Sequence, residues 1–232
     1  MFTGLVEALG RVNRVESNGG DCRLWLDMGS LPLDAVNVGD SISISGTCLT
    51  VVVLAPPLCA FDVSLESLRV TSLAEVKAGD RVNVERSLTL NKPLGGHMVL
   101  GHVDGQGRVV SCCEAGRSWR IEIEVQDELV KYIAPKGSIT LDGISLTVND
   151  FTVSQAGSGV LSVNVIPHTY GMTTVQDWCV GRAVNVEVDV MARYVEALMR
   201  GGVKPVGMRA GGDADSSGLT LETLAKHGFA AS

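Results

Sequence analysis

The chain has 232 residues, enough for one large domain or two small ones at ~150 residues per domain, and its 45% hydrophobic content excludes wholesale disorder. A net charge of −7 without a basic stripe, and only 4% aromatic residues, argue against nucleic acid and anionic membranes as partners. The most apolar run, Leu49 to Phe61, is broken by Pro56-Pro57 and falls short of the ~20 residues that a membrane span requires.

In chain order, the N-terminus reads Met1-Phe2-Thr3-Gly4 with an acid at Glu7. It lacks the basic start and apolar stretch of a signal peptide. The six cysteines form no CxxC pair. Reduced thiols and a location in the cytoplasm or an organelle interior are the expectation. Short alternating or β-branched runs follow at Val12–Val15, Arg23–Leu26, Ser41–Ile44, Leu49–Leu54, Phe61–Leu65 and Arg81–Val84, bounded by Gly, Asp, Asn or Pro. Later, Asp142-Gly143 separates Ile139–Leu141 from Leu146–Val148, which is a hairpin signature. Gln155 to Gly159 reads as a hairpin tip. Past Asp189, a residue type that caps helices, the period changes: Val190, Met191, Tyr194, Val195 and Leu198 make one apolar stripe of a helix over 189–200. That stripe would pack on its own barrel or on another subunit. The glycine-rich remainder, 201–232, reads as flexible, with a short terminal helix over Leu219–Phe229.

The chain repeats itself. GLVEALGRV at Gly4–Val12 answers GHVDGQGRV at Gly101–Val109, and SISISGTCLTV at Ser41–Val51 answers SITLDGISLTV at Ser138–Val148, both at an offset of 97. GDRVNVE at Gly79–Glu85 answers GRAVNVE at Gly181–Glu187 at an offset of 102. The order and the common offset predict two copies of one domain, 1–96 and 97–188. About six short strands per copy predict an all-β fold of two tandem six-stranded barrels, followed by a C-terminal helix.

Differences between the copies single out candidate residues. Cys48 and Thr50 correspond to Ser145 and Thr147, and strand alternation sends each pair to one face. An isolated pair of this kind would be small barrel filling; its recurrence favours a site. His102 stands where the first copy has Leu5, and Lys136 where it has Gly39, so neither is required by the shared fold. His102 then serves function or a local hydrogen bond, and Lys136, taken alone, reads first as a surface charge. His97 and His102 lack the neighbouring Cys or carboxylate spacing of a zinc site.

With these residues in view, the sequence closely resembles the riboflavin synthase family of the two-domain α-chain type. MFTGLVE, SGTCLTV at 45–51, NVERSL at 83–88, GGHMVLGHVDGQG at 95–107, KYIAPKGSITLDGISLTVN at 131–149, NVIPHT at 164–169 and VNVEVD at 184–189 carry the resemblance. It implies two six-stranded Greek-key barrels and a homotrimer held partly by C-terminal helices. It implies that a four-carbon unit passes between two molecules of 6,7-dimethyl-8-ribityllumazine, giving riboflavin and 5-amino-6-(D-ribitylamino)uracil, without metal or redox cofactor. The site would lie between the first barrel of one subunit and the second barrel of its neighbour. Catalytic positions carried over are Cys48, His102, Ser145, Thr147, Ser41, Phe2 and Asp189. Substrate-contacting positions are Gly4, Leu5, Val6; Cys48, Leu49, Thr50; Asp62, Val63, Ser64, Leu65, Glu66, Ser67; Gly101, His102, Val103; Lys136; Ser145, Leu146, Thr147; and Ile166, Pro167, His168, Thr169, Tyr170, Gly171. Ser45 departs from the Asn usual before the glycine of the first motif. The expectation groups Ser145, Thr147 and His102 at the substrate that is attacked, and Cys48 with Thr50 at its partner. The rival is a non-catalytic lumazine- or flavin-binding relative. Association with lumazine synthase is left open.

Overall fold

The computed structural model describes residues 1–154 and 157–200. The expected tail at 201–232, and residues 155 and 156 of the expected hairpin tip, lie outside the described residues. The first barrel is built from β1 (Ala8–Asn18), β2 (Asp21–Asp27), β3 (Ser41–Ile44), β4 (Thr47–Ala55), β5 (Leu58–Val63) and β6 (Arg81–Arg86), with α1 (Leu65–Val70) between the last two strands. The second comprises β7 (Gly105–Ala115), β8 (Ser118–Val125), β9 (Ser138–Leu141), β10 (Ile144–Val153), β11 (Gly159–Val165) and β12 (Ala183–Val188). It also carries α2 (Asp127–Val130) and α3 (Pro167–Met172), and α4 (Val190–Met199) follows it.

Strand order is β1-β2-β5-β4-β3-β6 in the first barrel and its equivalent β7-β8-β11-β10-β9-β12 in the second, each closed on itself by antiparallel pairs. Closure removes the sheet edges that open sheets must protect. Alternation explains the strands: in β2 the buried residues are Cys22, Leu24 and Leu26. Each barrel has its own apolar core, Leu24, Ile44, Val51 and Phe61 in the first and Ile121, Leu141, Leu161 and Val186 in the second.

The local devices repeat with the sequence. Register shifts fall between Val12 and Arg14 and between Val51 and Val53, and again at the matching Val109/Ser111 and Val148/Asp150. Such bulges bend strands so that a sheet can close. Both two-residue turns have positive φ throughout: Ser45 (44°) and Gly46 (85°), Asp142 (46°) and Gly143 (78°). That is the backbone of a turn whose twist matches the flanking strands.

These two turns also join the copies. A Cβ on Gly46 would lie 2.8 Å from the Gly143 nitrogen, and one on Gly143 would lie 2.7 Å from the Gly46 nitrogen. Equivalent glycines therefore touch across an approximate dyad. Asn83 Nδ2 donates to the Asp142 carbonyl, and its counterpart Asn185 Nδ2 donates to the Ser45 carbonyl, both at 2.8 Å. Each amide oxygen also accepts a backbone N–H from the other copy, Thr174 for Asn83 and Ser72 for Asn185. The motif NVE thus supplies the crossed bonds that lock one barrel to the other.

Helix α4 carries the stripe expected from its sequence. Arg193 pairs with Asp104, and Glu196 takes the Tyr132 hydroxyl and pairs with Lys131, so these polar residues dock it on the second barrel. Met191, Tyr194, Val195 and Leu198 remain more than half exposed. No helix among the described residues is long and apolar enough to cross a membrane.

Candidate functional site

The segments that lead into the two barrels exchange places. Phe2 and Val99, equivalent at the offset of 97, pair with each other through N–H···O bonds of 2.7 and 3.1 Å. From that bridge each segment runs onto the other barrel. The Gly4 carbonyl accepts the Ser145 N–H at 2.8 Å, and the Gly101 carbonyl accepts the Cys48 N–H at 2.8 Å. Only glycine fits at either crossing: a Cβ on Gly4 would meet Ser145 Cβ at 2.6 Å, and one on Gly101 would meet Cys48 Cβ at 2.7 Å. Both glycines also have positive φ, 75° and 77°.

The second barrel's patch centres on Ser145. Ser145 pairs with Thr140, and Thr147 with Ser138, so facing residues put all four side chains on one face of β9 and β10. His97 spans this face: Nδ1 lies 2.7 Å from Ser145 Oγ and Nε2 lies 3.2 Å from Thr140 Oγ1. A neutral imidazole donates through one nitrogen and accepts through the other, and both hydroxyls can take either part. Burial pushes the His97 pKa below its ordinary value, with the charge of Asp189 partly opposing it. At neutral pH the ring is therefore an uncharged base in contact with a serine hydroxyl. Gly96 is part of the same packing, since a Cβ there would lie 3.0 Å from Ser145 Oγ. Val6 packs against this barrel's core.

Lys136 stands at the edge of the patch with φ 69°, where the first copy has Gly39 with φ 98°. Equivalent bonds, Lys136 N–H to the Val148 carbonyl at 2.7 Å and Gly39 N–H to the Val51 carbonyl at 2.9 Å, show that the two positions correspond. A lysine in the left-handed region costs of order 1 kcal/mol relative to glycine.

The first barrel's patch centres on Cys48. Ser41 pairs with Thr50 and Ser43 with Cys48, giving the corresponding face. Phe2 is fully buried beneath Gly101, so it supports this patch from inside. His102 is exposed immediately after Gly101, whose carbonyl holds the Cys48 N–H. Within this chain His102 therefore lies beside Cys48, whereas the expectation grouped it with Ser145, and the histidine in contact with Ser145 is His97. The reason is the exchange of leading segments, which sends each to the opposite barrel. His97 escaped the comparison of copies because its equivalent would precede Met1.

The remaining expected residues flank these patches. Register places Phe61 opposite Val51, which carries Asp62 to Ser64 along β4 toward Thr50 and Cys48. Asp62 is held by both arms of Arg23, Ser64 caps α1 by accepting the Ser67 N–H, and Glu66 pairs with Arg69. Val163 opposite Val148 likewise carries Ile166 toward the Ser145 strand. Pro167, His168, Thr169, Tyr170 and Gly171 lie in α3, where Tyr170 stacks on Trp119 at 3.7 Å between ring centroids. Val103 is half-buried, Leu5 exposed, Leu49 buried and Leu146 half-buried. Asp189 acts on both the helix and the site: its Oδ1 accepts the Met191 N–H, and its charge reaches His97. A cavity of about 510 Å3 opens beside Ser41, lined also by Glu7, Asp40, Arg86 and Lys92. Thr50, His102, Lys136 and Thr147 all face solvent, so both patches are open.

Comparison with known proteins agrees with the duplicated architecture. The lumazine binding domain family matches the chain twice, over residues 3–87 and 100–189. The riboflavin synthase of Photobacterium phosphoreum is 41% identical over 199 residues, covering 86% of this chain and 89% of that protein. The riboflavin synthase of Mycobacterium tuberculosis is 43% identical over 201 residues, covering 86% and 98%. The crystal structure of LumP complexed with riboflavin superposes with a TM-score of 0.72 at 22% identity, covering 81% of this chain and 99% of that one, which is a likeness of fold.

Proposed function

The chain belongs to the riboflavin synthase family, and we propose that each of its two dyad-related patches seats one molecule of 6,7-dimethyl-8-ribityllumazine. It is a transferase: a four-carbon unit passes from one lumazine to the other, leaving riboflavin and 5-amino-6-(D-ribitylamino)uracil. Two copies of one compound meeting head to tail need two similar surfaces related by a dyad, and duplication supplies them. Holding both reactants in place contributes several kcal/mol.

Donor and acceptor must still end differently, and the patches differ where chemistry would differ. The lumazine C7 methyl is acidic because its anion delocalises into the electron-poor ring. On the Ser145 patch the neutral His97 is the base, taking a proton through the Ser145 hydroxyl. The Lys136 ammonium and the N–H groups nearby stabilise negative charge as it reaches the ring oxygens. On the Cys48 patch, Cys48, Thr50, Ser41 and His102 hold and protonate the second molecule, and the polar edges carry the ribityl hydroxyls. The single observation behind this assignment is the 2.7 Å contact between His97 Nδ1 and Ser145 Oγ.

Both patches are open in one chain, and α4 presents apolar residues outward. These two features support a homotrimer in which neighbouring copies bring a first-barrel patch against a second-barrel patch. The test mixes purified protein with the lumazine and follows flavin absorbance. Turnover is expected, with Ser145→Ala and His97→Gln reducing kcat far more than they weaken lumazine binding. Lumazine binding without any flavin would instead identify a carrier, and unchanged kcat in both variants would reject the residue roles.

A further inference from the structure

The repeated motif ending in NVE holds a second crossed device besides its asparagines. Glu85 on β6 is 2% exposed, and Glu187 on β12 is 5% exposed. Neither lies on the solvent-facing patches. Glu85 Oε1 accepts the Thr3 N–H at 2.8 Å and the Thr3 hydroxyl at 2.7 Å, and its Oε2 accepts the Gly4 N–H at 3.0 Å. Glu187 Oε1 accepts the Leu100 N–H at 2.7 Å, and its Oε2 accepts the Gly101 N–H at 3.0 Å. Thr3 and Leu100 are equivalent at the offset of 97, as are Gly4 and Gly101. One carboxylate per copy therefore grips two successive N–H groups of the segment leading into its own barrel.

Those same segments close on the other barrel. Gly4 is held by Glu85 through its nitrogen and by Ser145 through its oxygen, within one peptide length. Gly101 is held by Glu187 and by Cys48 in the same way. We infer that Glu85 and Glu187 are crossed positioning residues: Glu187 of the second barrel sets the segment that completes the Cys48 patch of the first, and Glu85 of the first sets the segment that completes the Ser145 patch of the second. The physical ground is that a carboxylate accepting two adjacent N–H groups fixes both the position and the tilt of that peptide pair. His102 follows one of these pairs directly, and His97 is tied to the other through its N–H to the Thr3 carbonyl at 3.2 Å.

An isosteric amide cannot serve in this role. Glutamine keeps one acceptor and turns a donor toward an N–H that has lost its partner, so the segment is released while side-chain volume is retained. The inference rests on the proposed use of both patches for its catalytic consequence, and its structural half is testable without substrate. Amide hydrogen exchange of the full-length protein reads the crossing. In Glu187→Gln the Cys48 amide should exchange about five- to ten-fold faster with the Ser145 amide unchanged, the weight of one hydrogen bond; in Glu85→Gln the pattern should reverse. Alkylation of Cys48 by iodoacetamide should accelerate only in Glu187→Gln, although Glu85 shares a barrel with Cys48. Both variants should lose kcat, and Asp at either position, which keeps both carboxyl oxygens but withdraws them by one methylene, should recover part of that loss. If a Gln variant does not fold, the Asp variant takes its place in the exchange assay. Protection lost within the same barrel, or lost equally at both amides, would overturn the crossing. A crossed pattern with undiminished kcat would overturn the positioning role, while wild-type turnover measured alongside keeps the family reaction separate from either result.

Discussion

Replacing Asp142 with Asn should raise the stability of the fold at alkaline pH and flatten its pH dependence. Asp142 sits on the dyad, 3% exposed, with its Oδ1 accepting the Asn185 N–H at 2.7 Å. Burial pushes its pKa from 3.8 up to about 6, against the pull of that N–H and of the Arg182 charge. A raised carboxyl pKa means that the folded protein binds a proton which the unfolded chain has released. The contribution to stability is then complete below the unfolded value of 3.8 and is lost as pH rises through about 6. The difference of about two units corresponds to roughly 3 kcal/mol at ~1.4 kcal/mol per unit. Asparagine keeps the oxygen acceptor for Asn185 and tolerates the positive φ of 46° at this turn. The variant should therefore match wild type near pH 4 and exceed it by on the order of 2–3 kcal/mol near pH 8. Glu187, raised to about 7 by burial, contributes in the same direction, so a shallower slope should persist in the variant. His97, with its lowered pKa, works oppositely, costing stability as pH falls. Urea unfolding across this range, at one fixed protein concentration, measures the effect. An unchanged slope between wild type and Asp142→Asn would refute the argument that the buried carboxyl is the source.

Asn185→Ala should cost about 3 kcal/mol or more by urea unfolding, because it strands the Ser45 carbonyl and the Ser72 N–H; Asn185→Asp, which buries a second carboxyl beside Asp142 and turns an acceptor toward the Ser45 carbonyl, should lose at least as much. Gly101→Ala adds a Cβ at 2.7 Å from Cys48 Cβ and should lower stability by clearly more than Gly116→Ala, which shares a positive φ (66°) but has nothing within 4 Å of the added atom. Equal losses in thermal unfolding of those two variants would show that the crossing has slack. The acid limb of kcat should lie below the ordinary imidazole pKa of ~6.5, since His97 must be neutral to act and burial holds its pKa down. A limb above that value, or one that survives in His97→Gln, would remove His97 from the role of base.

Much of the fold is legible in the residues themselves. Alternation in Arg23–Leu26 and Arg81–Val84 gives strands; the period of two buries one face of β2, while β6 is buried on both faces because its Asn83 and Glu85 serve the contacts between the copies and with the leading segment. Ser45-Gly46 and Asp142-Gly143 give the turns because only small or Asx-type residues accept their backbone. The offset of 97 gives the duplication, and with it the correspondence of Cys48 to Ser145. Two barrels rather than one long sheet follow, since about six short strands per copy can close and so hide their edges. Strand alternation was also enough to place Cys48 with Thr50, and Ser145 with Thr147, on shared faces.

Which residues meet across the copies was decided only by the tertiary structure. A sequence comparison aligns Leu5 with His102 and leaves His97 without a counterpart, so it points toward His102 alone. The folded chain exchanges the two leading segments about the dyad, and that step is invisible to local pattern because it depends on contacts between residues 48 and 101, or 4 and 145. The outward direction of the α4 stripe is of the same kind. Its periodicity defines an apolar face, but the ion pairs of Arg193 and Glu196 with the second barrel determine that this face points away. Local chemistry specifies the elements because each residue's backbone preference and face are set by near neighbours. The pairing of Ser145 with His97 arises from packing between segments distant in the chain, and only the closed three-dimensional arrangement contains that information.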